Sequence, residues 1–410
     1  MSALGGYVKA REATSIRELR TLAHRMLPRP VFDLLDSGAG DGSGLERNVD
    51  AFKHHQLMPR VLTEMTEPDQ STILFGRRLS SPFGISATGM AGLFWPKADL
   101  LLAEAAVAAN IPFMLSTCST DSITDVARLA PELVWFQLYP ARDRAVSEAM
   151  IARARAAAVG VLVVTVDWPV KPRFETPSIA RPLSTLSSLL EGIRHPGWTW
   201  RQFRNGRPRF ANWAPHAPAG SGPAEISRYT ATQWPCHQTW QDIARFRDLW
   251  PGKLVLKGIA HPEDALRARS LGVDGIVVSN HGGKAHARFP ATLEILPTIR
   301  SAVRDTMTVL IDGGIEHGAD IAVSRCLGAD LAFFGRLTLY GAAAGGGEGI
   351  KRVIELLRQD ISALQSQLGC ASYDQLEEGF LFRPKRENPA GAQNLTPSCP
   401  AITQNPNVEG

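Results

Sequence analysis

The sequence predicts an α/β protein built as a closed (β/α)8 TIM barrel, and three observations carry that expectation. Short runs that are apolar on both faces recur along the chain, each ending in a polar or ionisable residue. Helical-looking segments separate them, as βαβ units require. Eight such runs fall within about 250 residues, the number and span of a barrel whose chemistry lies at its C-terminal rim. An open doubly wound sheet is the alternative, but no run leads into a G-x-G-x-x-G turn.

In chain order, residues 15–60 read as a helical N-terminal segment, with Leu19, Leu22, Ala23 and Met26 at helical spacing and expected in the core. The first four strand candidates are residues 82–89, 112–117, 134–139 and 160–167. Residues 174–238 then interrupt the alternation with a long loop. It carries Trp198, Trp200, Trp213 and Trp234, many prolines, and Arg194, Arg201, Arg204, Arg207 and Arg209. A loop this long inside a compact domain is a lid, an oligomer contact or another binding element. Its basic, tryptophan-rich character also suits an anionic membrane surface. Four further strands are expected at residues 254–258, 275–278, 309–312 and 331–334. Residues 350–368 place Val353, Leu356, Leu357, Ile361 and Leu364 on one face and read as the last barrel helix. The chain thus divides into an N-terminal helical segment (1–60), a barrel (61–383) holding the insertion, and a polar tail (384–410) expected to be disordered.

The chemistry concentrates at the strand ends. The run Gly275-Ile276-Val277-Val278 breaks into Ser279-Asn280-His281-Gly282-Gly283, delivering an imidazole to the rim beside backbone that a ligand can approach closely. Such a histidine is a candidate general base. Lys257 ends another strand, where its charge can stabilise an anion developing on a cofactor ring. Gly313 and Gly314 follow the seventh strand, and Gly335 and Arg336 the eighth. Barrels hold phosphate at that place, using free N–H groups and a guanidinium.

Together these stretches resemble the FMN-dependent 2-hydroxy acid dehydrogenase/oxidase family. The matching segments are Thr88-Gly89-Met90-Ala91-Gly92-Leu93-Phe94-Trp95-Pro96, Trp135-Phe136-Gln137-Leu138-Tyr139, Thr165-Val166-Asp167, Lys257-Gly258-Ile259, Ser279 to Gly283, Asp312-Gly313-Gly314 and Gly335-Arg336. The resemblance implies FMN as cofactor and an enzyme that oxidises 2-hydroxy acids to 2-oxo acids. It implies that Ala87, Thr88, Gly89, Ser116, Gln137, Thr165, Lys257 and Ser279 line the flavin ring and ribityl chain. Asp312, Gly313, Gly314, Gly335 and Arg336 would hold ribityl and phosphate. His281 would be the base, Asp167 its orienting carboxylate, and Tyr139 a donor to the substrate oxygen. Gly89 resembles the dehydrogenase branch more than the oxidase branch, leaving quinone, oxygen or a redox protein as acceptor. Family members often form tetramers, so a homo-oligomer is implied.

The departures fall on substrate recognition. The family holds the substrate carboxylate with two arginines and a tyrosine. The corresponding positions here are Phe174, Lys284 and the pair Leu34-Leu35. A planar bidentate clamp is thereby reduced to one point charge beside apolar surface. Arg173, one residue away, is the candidate substitute. After Lys284, the loop Ala285-His286-Ala287-Arg288 reads as solvated, and Glu316 stands where the family has a phosphate-binding arginine. The substrate is therefore expected to be bulky or atypical. An amine or peptide-derived intermediate, or a catalytically silent flavoprotein, is the alternative.

Composition agrees. A chain of 410 residues that is 44% hydrophobic can bury a large core, and a net charge of +4 implies no affinity for nucleic acid. The five cysteines show neither paired nor metal-ligand spacing, so no metal is expected and a reducing, cytoplasmic setting is. The first twenty residues hold no apolar signal core, and no run of about 18 apolar residues exists to span a bilayer. A peripheral position on the inner face of the membrane remains open through the insertion.

Overall fold

The computed structural model describes residues 9–64, 67–180 and 184–383. Eight parallel strands close into a barrel: β1 (Phe83–Ile85), β2 (Phe113–Ser116), β3 (Val134–Leu138), β4 (Val161–Thr165), β5 (Lys253–Ile259), β6 (Gly275–Val278), β7 (Thr308–Asp312) and β8 (Leu331–Phe334). Each strand pairs with its sequence neighbour, and β8 closes on β1 through Phe333↔Gly84. The runs are apolar on both faces because helices cover one side and the barrel interior the other. Inside, Met114, Trp135, Val163, Val255, Val277, Leu310 and Phe333 pack together. A short antiparallel hairpin, Thr72–Leu74 with Arg77–Leu79, precedes the barrel.

The N-terminal segment forms α1 (Ile16–Met26), α2 (Arg29–Asp36) and α3 (Ser43–Lys53). Ser15 caps α1 by accepting from the Glu18 N–H, and Leu19 and Ala23 bury its inner face. The insertion is not the expected loop. It folds largely as helices, including α4 (Thr185–Arg194), α5 (Pro196–Asn205) and α6 (Pro223–Gln233). Serine and proline start α4 and α5, which is where prolines are tolerated in helices. The last helix, α7 (Arg336–Leu368), begins earlier than residue 350 and is kinked at Gly345-Gly346. Both ends of α2 are fixed, since Tyr340 of α7 donates to Asp36 at 2.6 Å and Arg29 N–H donates to Glu191 of α4 at 2.9 Å. We retain the division at residue 60 as a proposal; the 384–410 tail lies outside the described residues.

Candidate active site

Seven consecutive strands present a polar side chain at or just beyond their carboxyl ends: Ser86, Ser116, Gln137, Thr165, Lys257, Ser279 and Asp312. Lys257 Nζ lies 2.8 Å from Asp312 Oδ2 and donates to Ser279 Oγ at 2.8 Å, while Ser86 donates to Asp312 at 2.9 Å. This ion pair is buried, at 5% and 8% side-chain exposure. Burial alone would raise the Asp312 carboxyl, but the Lys257 charge wins and holds it below the usual range. Across the barrel, Ser116 donates to Gln137 at 3.1 Å, and Gln137 donates to Thr165 at 2.8 Å.

His281 stands at the centre of the rim in a left-handed backbone conformation, φ 61°. That costs a β-substituted residue roughly 1–3 kcal/mol and persists only where neighbours over-determine it. They do here: Asn280 accepts from the Gly283 N–H at 3.0 Å and exchanges reciprocal 2.8 Å bonds with Asn48 of α3. His281 Nδ1 sits 3.0 and 3.1 Å from the Asp167 oxygens. A carboxylate demands the N–H on that nitrogen, so Nε2 offers its lone pair to the Tyr139 hydroxyl 2.8 Å away. Asp167 reaches this position because Gly258 has no side chain; a Cβ there would lie 2.4 Å from that of Asp167. Burial raises the Tyr139 phenol well above its ordinary pKa, keeping it a neutral donor.

The rim fits a flavin mononucleotide. Thr88 Oγ1 and Asp312 Oδ1 are buried without a hydrogen-bond partner, an expensive state that a polar ligand relieves. Ala87, Thr88 and Gly89 leave β1 as an irregular segment next to this set, and Gly335 lies against Thr88. Gly313 and Gly314 both have positive φ (98° and 87°). A Cβ on Gly314 would come within 2.3 Å of the Asn48 carbonyl, so α3 as well as any phosphate requires glycine there. Glu316 is exposed, and its charge is still felt by buried Arg336.

The clamp positions behave differently. Lys284 Nζ donates to the Leu34 carbonyl at 2.6 Å, and Arg336 donates to the carbonyls of Leu35 and Ser37 at 3.2 Å each. Both cations therefore cap the C-terminus of α2, where orphan carbonyls and the helix dipole favour positive charge. Burial, reinforced by the nearby Arg336 charge, pushes the Lys284 ammonium down to about 7. Arg173, the candidate substitute, has an exposed side chain and a carbonyl that accepts from the Gly40 N–H at 2.8 Å, and it lines the same cavity as Leu34 and Phe174. Leu34 and Phe174 line a cavity of about 870 Å³ together with Pro172, Pro177 and Ile179 and the charged residues Lys171, Arg173 and Glu175.

Two residues that sequence reasoning missed complete the wall. Trp168 meets the His281 ring edge-on at 4.1 Å between centroids, and Trp234 lies 4.4 Å from the Tyr139 ring. Trp168 directly follows Asp167, so its place at a strand end was a usable signal; Trp234 arrives from the far end of the insertion and gave none. The other insertion tryptophans divide. Trp213 is fully buried, Trp198 is half-buried, and Trp200 is exposed. Beside Trp200, the exposed side chains Leu186, Leu189, Leu190 and Ile193 of α4 and Phe203 of α5 form an apolar surface. Arg194 of α4, Arg204 of α5, and Arg207 and Arg209 after it are exposed as well. No described helix is long and apolar enough to cross a membrane, and no described cluster of His, Cys, Asp or Glu forms a metal site.

Comparison with known proteins places these features in context. The pattern of the FMN-dependent dehydrogenase family matches residues 23–383. The chain is 34% identical over 377 residues to an L-lactate dehydrogenase of Caulobacter sp. (strain K31), covering 91% of this chain and 99% of that one. It is 35% identical over 385 residues to the (S)-mandelate dehydrogenase of Pseudomonas putida, covering 93% and 97%. Among solved structures, a monotopic membrane protein (S)-mandelate dehydrogenase superposes with a TM-score of 0.87 at 34% identity, covering 91% of this chain and all of that one.

Proposed function

The chain belongs to the FMN-dependent dehydrogenase family, and from that premise we propose that it oxidises the carbinol carbon of a bulky 2-hydroxy acid, with His281 as base. It is an FMN-dependent oxidoreductase of the 2-hydroxy acid type. When bound, FMN would take up the two electrons together with one of the two hydrogens that the carbinol loses, and the other leaves as a proton. His281 Nε2 accepts the proton, and Asp167, fixed on Nδ1, stabilises the imidazolium that results. Tyr139 follows the substrate oxygen from alcohol to carbonyl as a hydrogen-bond donor. Lys257 would supply positive charge to the flavin as it gains electrons. The observation that carries this reading is the Tyr139–His281–Asp167 chain at the rim, held by 2.8 and 3.0 Å contacts.

Trp168, Trp234 and the cavity bounded by Leu34 and Phe174 support a substrate larger than lactate. The exposed apolar residues of α4 and α5, the exposed arginines in and after these helices and the monotopic relative support peripheral attachment to a membrane, with a quinone as acceptor. One observation favours a second reading. With Phe174 at one clamp position and one Lys284 donor given to the Leu34 carbonyl, the site offers a carboxylate less than two arginines would, which suits an uncharged group next to the carbinol, such as a carboxamide or peptide carbonyl.

Anaerobic titration of the yellow holoenzyme separates these readings. Bleaching of the oxidised-flavin band by aryl 2-hydroxy acids, faster than by lactate, is the expected result. Bleaching by the matching amides alone establishes the second reading. A flavin that no 2-hydroxy acid or amide reduces contradicts both.

A further inference from the structure

Helix α5 has two opposed faces. Trp200 and Phe203 point outward, 60% and 79% exposed, with their rings 6.0 Å apart. On the inner face, Trp198 Nε1 donates to the Leu93 carbonyl at 2.9 Å. Gln202 Nε2 donates to the carbonyls of Gly92 at 2.9 Å and Leu93 at 3.1 Å. The Arg201 guanidinium lies 4.2 Å over the Trp95 ring. These targets belong to the segment that runs on from Ala87, Thr88 and Gly89, the stretch assigned above to the flavin. The same segment is held from behind, because Gly92 N–H donates to Thr120 Oγ1 at 3.0 Å and that hydroxyl donates to buried Asp99 at 2.7 Å.

Helix α4 makes a second connection. Glu191 accepts from the Arg29 N–H at the start of α2, and the far end of α2 carries the carbonyls that bind Lys284 and Arg336. The element with the exposed apolar surface is thus hydrogen-bonded to two elements that flank the rim.

We propose that Trp198 and Gln202 are positioning residues that transmit docking of the α4–α5 hairpin on a lipid surface to residues 87–95. The inference rests on the membrane reading given above. Burial of Leu186, Leu189, Ile193, Trp200 and Phe203 in a bilayer restricts the hairpin, and the bonds to Gly92 and Leu93 pass that restriction to the segment that begins with Ala87, Thr88 and Gly89. Docking then favours one arrangement of the segment by its differential affinity for the hairpin orientation that supports it.

The test uses the full-length holoenzyme with vesicles of mixed phosphatidylglycerol and phosphatidylcholine. Co-sedimentation is scored together with amide hydrogen exchange in peptides covering 87–95. The expected result is sedimentation with exchange in 87–95 slowed at least about threefold. Gln202→Ala, alone and with Trp198→Phe, should sediment equally while losing that slowing; Gln202→Glu, which keeps the length but not the donor, should do the same. Failure of the wild-type protein to sediment overturns the membrane reading and the coupling with it. Sedimentation without slowing in the wild type, or slowing that survives in the variants, overturns the coupling and leaves the membrane reading standing.

Discussion

The two ends of the barrel are both lined with charge, yet they are finished differently. At the N-terminal end a cavity of about 630 Å³ is bordered by Lys253, Asp274, Arg300, Arg325, Asp330 and Asp374. There the charges answer one another. Asp274 takes Arg247 at 2.7 Å, Lys253 at 2.8 Å and the Leu254 N–H at 2.9 Å, and Asp330 takes Arg300 at 2.6 Å. At the C-terminal end, by contrast, buried Thr88 Oγ1 and Asp312 Oδ1 lack partners, and His281 holds a strained backbone. A cavity among satisfied charges serves stability. Unmet polar atoms around a strained histidine mark the end kept for a ligand.

That contrast can be broken by substitution. Lys257→Met leaves the Asp312 carboxylate buried and unpaired. It should cost about 3–5 kcal/mol of stability and lower FMN retention, read by chemical denaturation and by flavin content after gel filtration. Asp274→Asn at the opposite end should cost about 1–3 kcal/mol while leaving flavin content and reduction rate unchanged. If Asp274→Asn slowed flavin reduction, the division between the two ends would fail.

A smaller effect sharpens the contrast within the C-terminal end. Lys284 has its ammonium lowered to about 7, so it is charged below that pH and loses its proton as pH rises through it. If Lys284 anchors a substrate carboxylate, the apparent KM for a 2-hydroxy acid should climb about tenfold per pH unit above 7, the slope of a single lost proton. The matching amide should show a flat profile. A flat profile for both would remove Lys284 from substrate recognition.

Much of this was legible in the sequence, for physical reasons that differ from place to place. Parallel strands covered on both faces must be continuously apolar, so all eight were visible, from the run at Phe83 to that at Leu331. His281, Asp167, Tyr139 and Lys257 could be read because each lies at or just beyond a strand end, where barrel topology fixes which rim it joins. The insertion was opaque. Trp198 and Trp200 sit two residues apart, and which of them faces inward depends on α5 being a helix. Its prolines suggested a loop, whereas the structure uses Pro196 to start that helix. The fate of Lys284 was opaque for another reason. Its partner is the Leu34 carbonyl, a backbone group that every residue carries and no side-chain pattern announces.

The central claim is that the Tyr139–His281–Asp167 chain performs the oxidation, and single-turnover flavin reduction in the His281→Ala protein tests it most directly. Under anaerobic stopped flow, with the best substrate from the titration, the variant should keep its flavin spectrum and reduce at least about a hundredfold more slowly than wild type. A variant that retains FMN and is reduced at the wild-type rate would contradict the assignment of His281 as base.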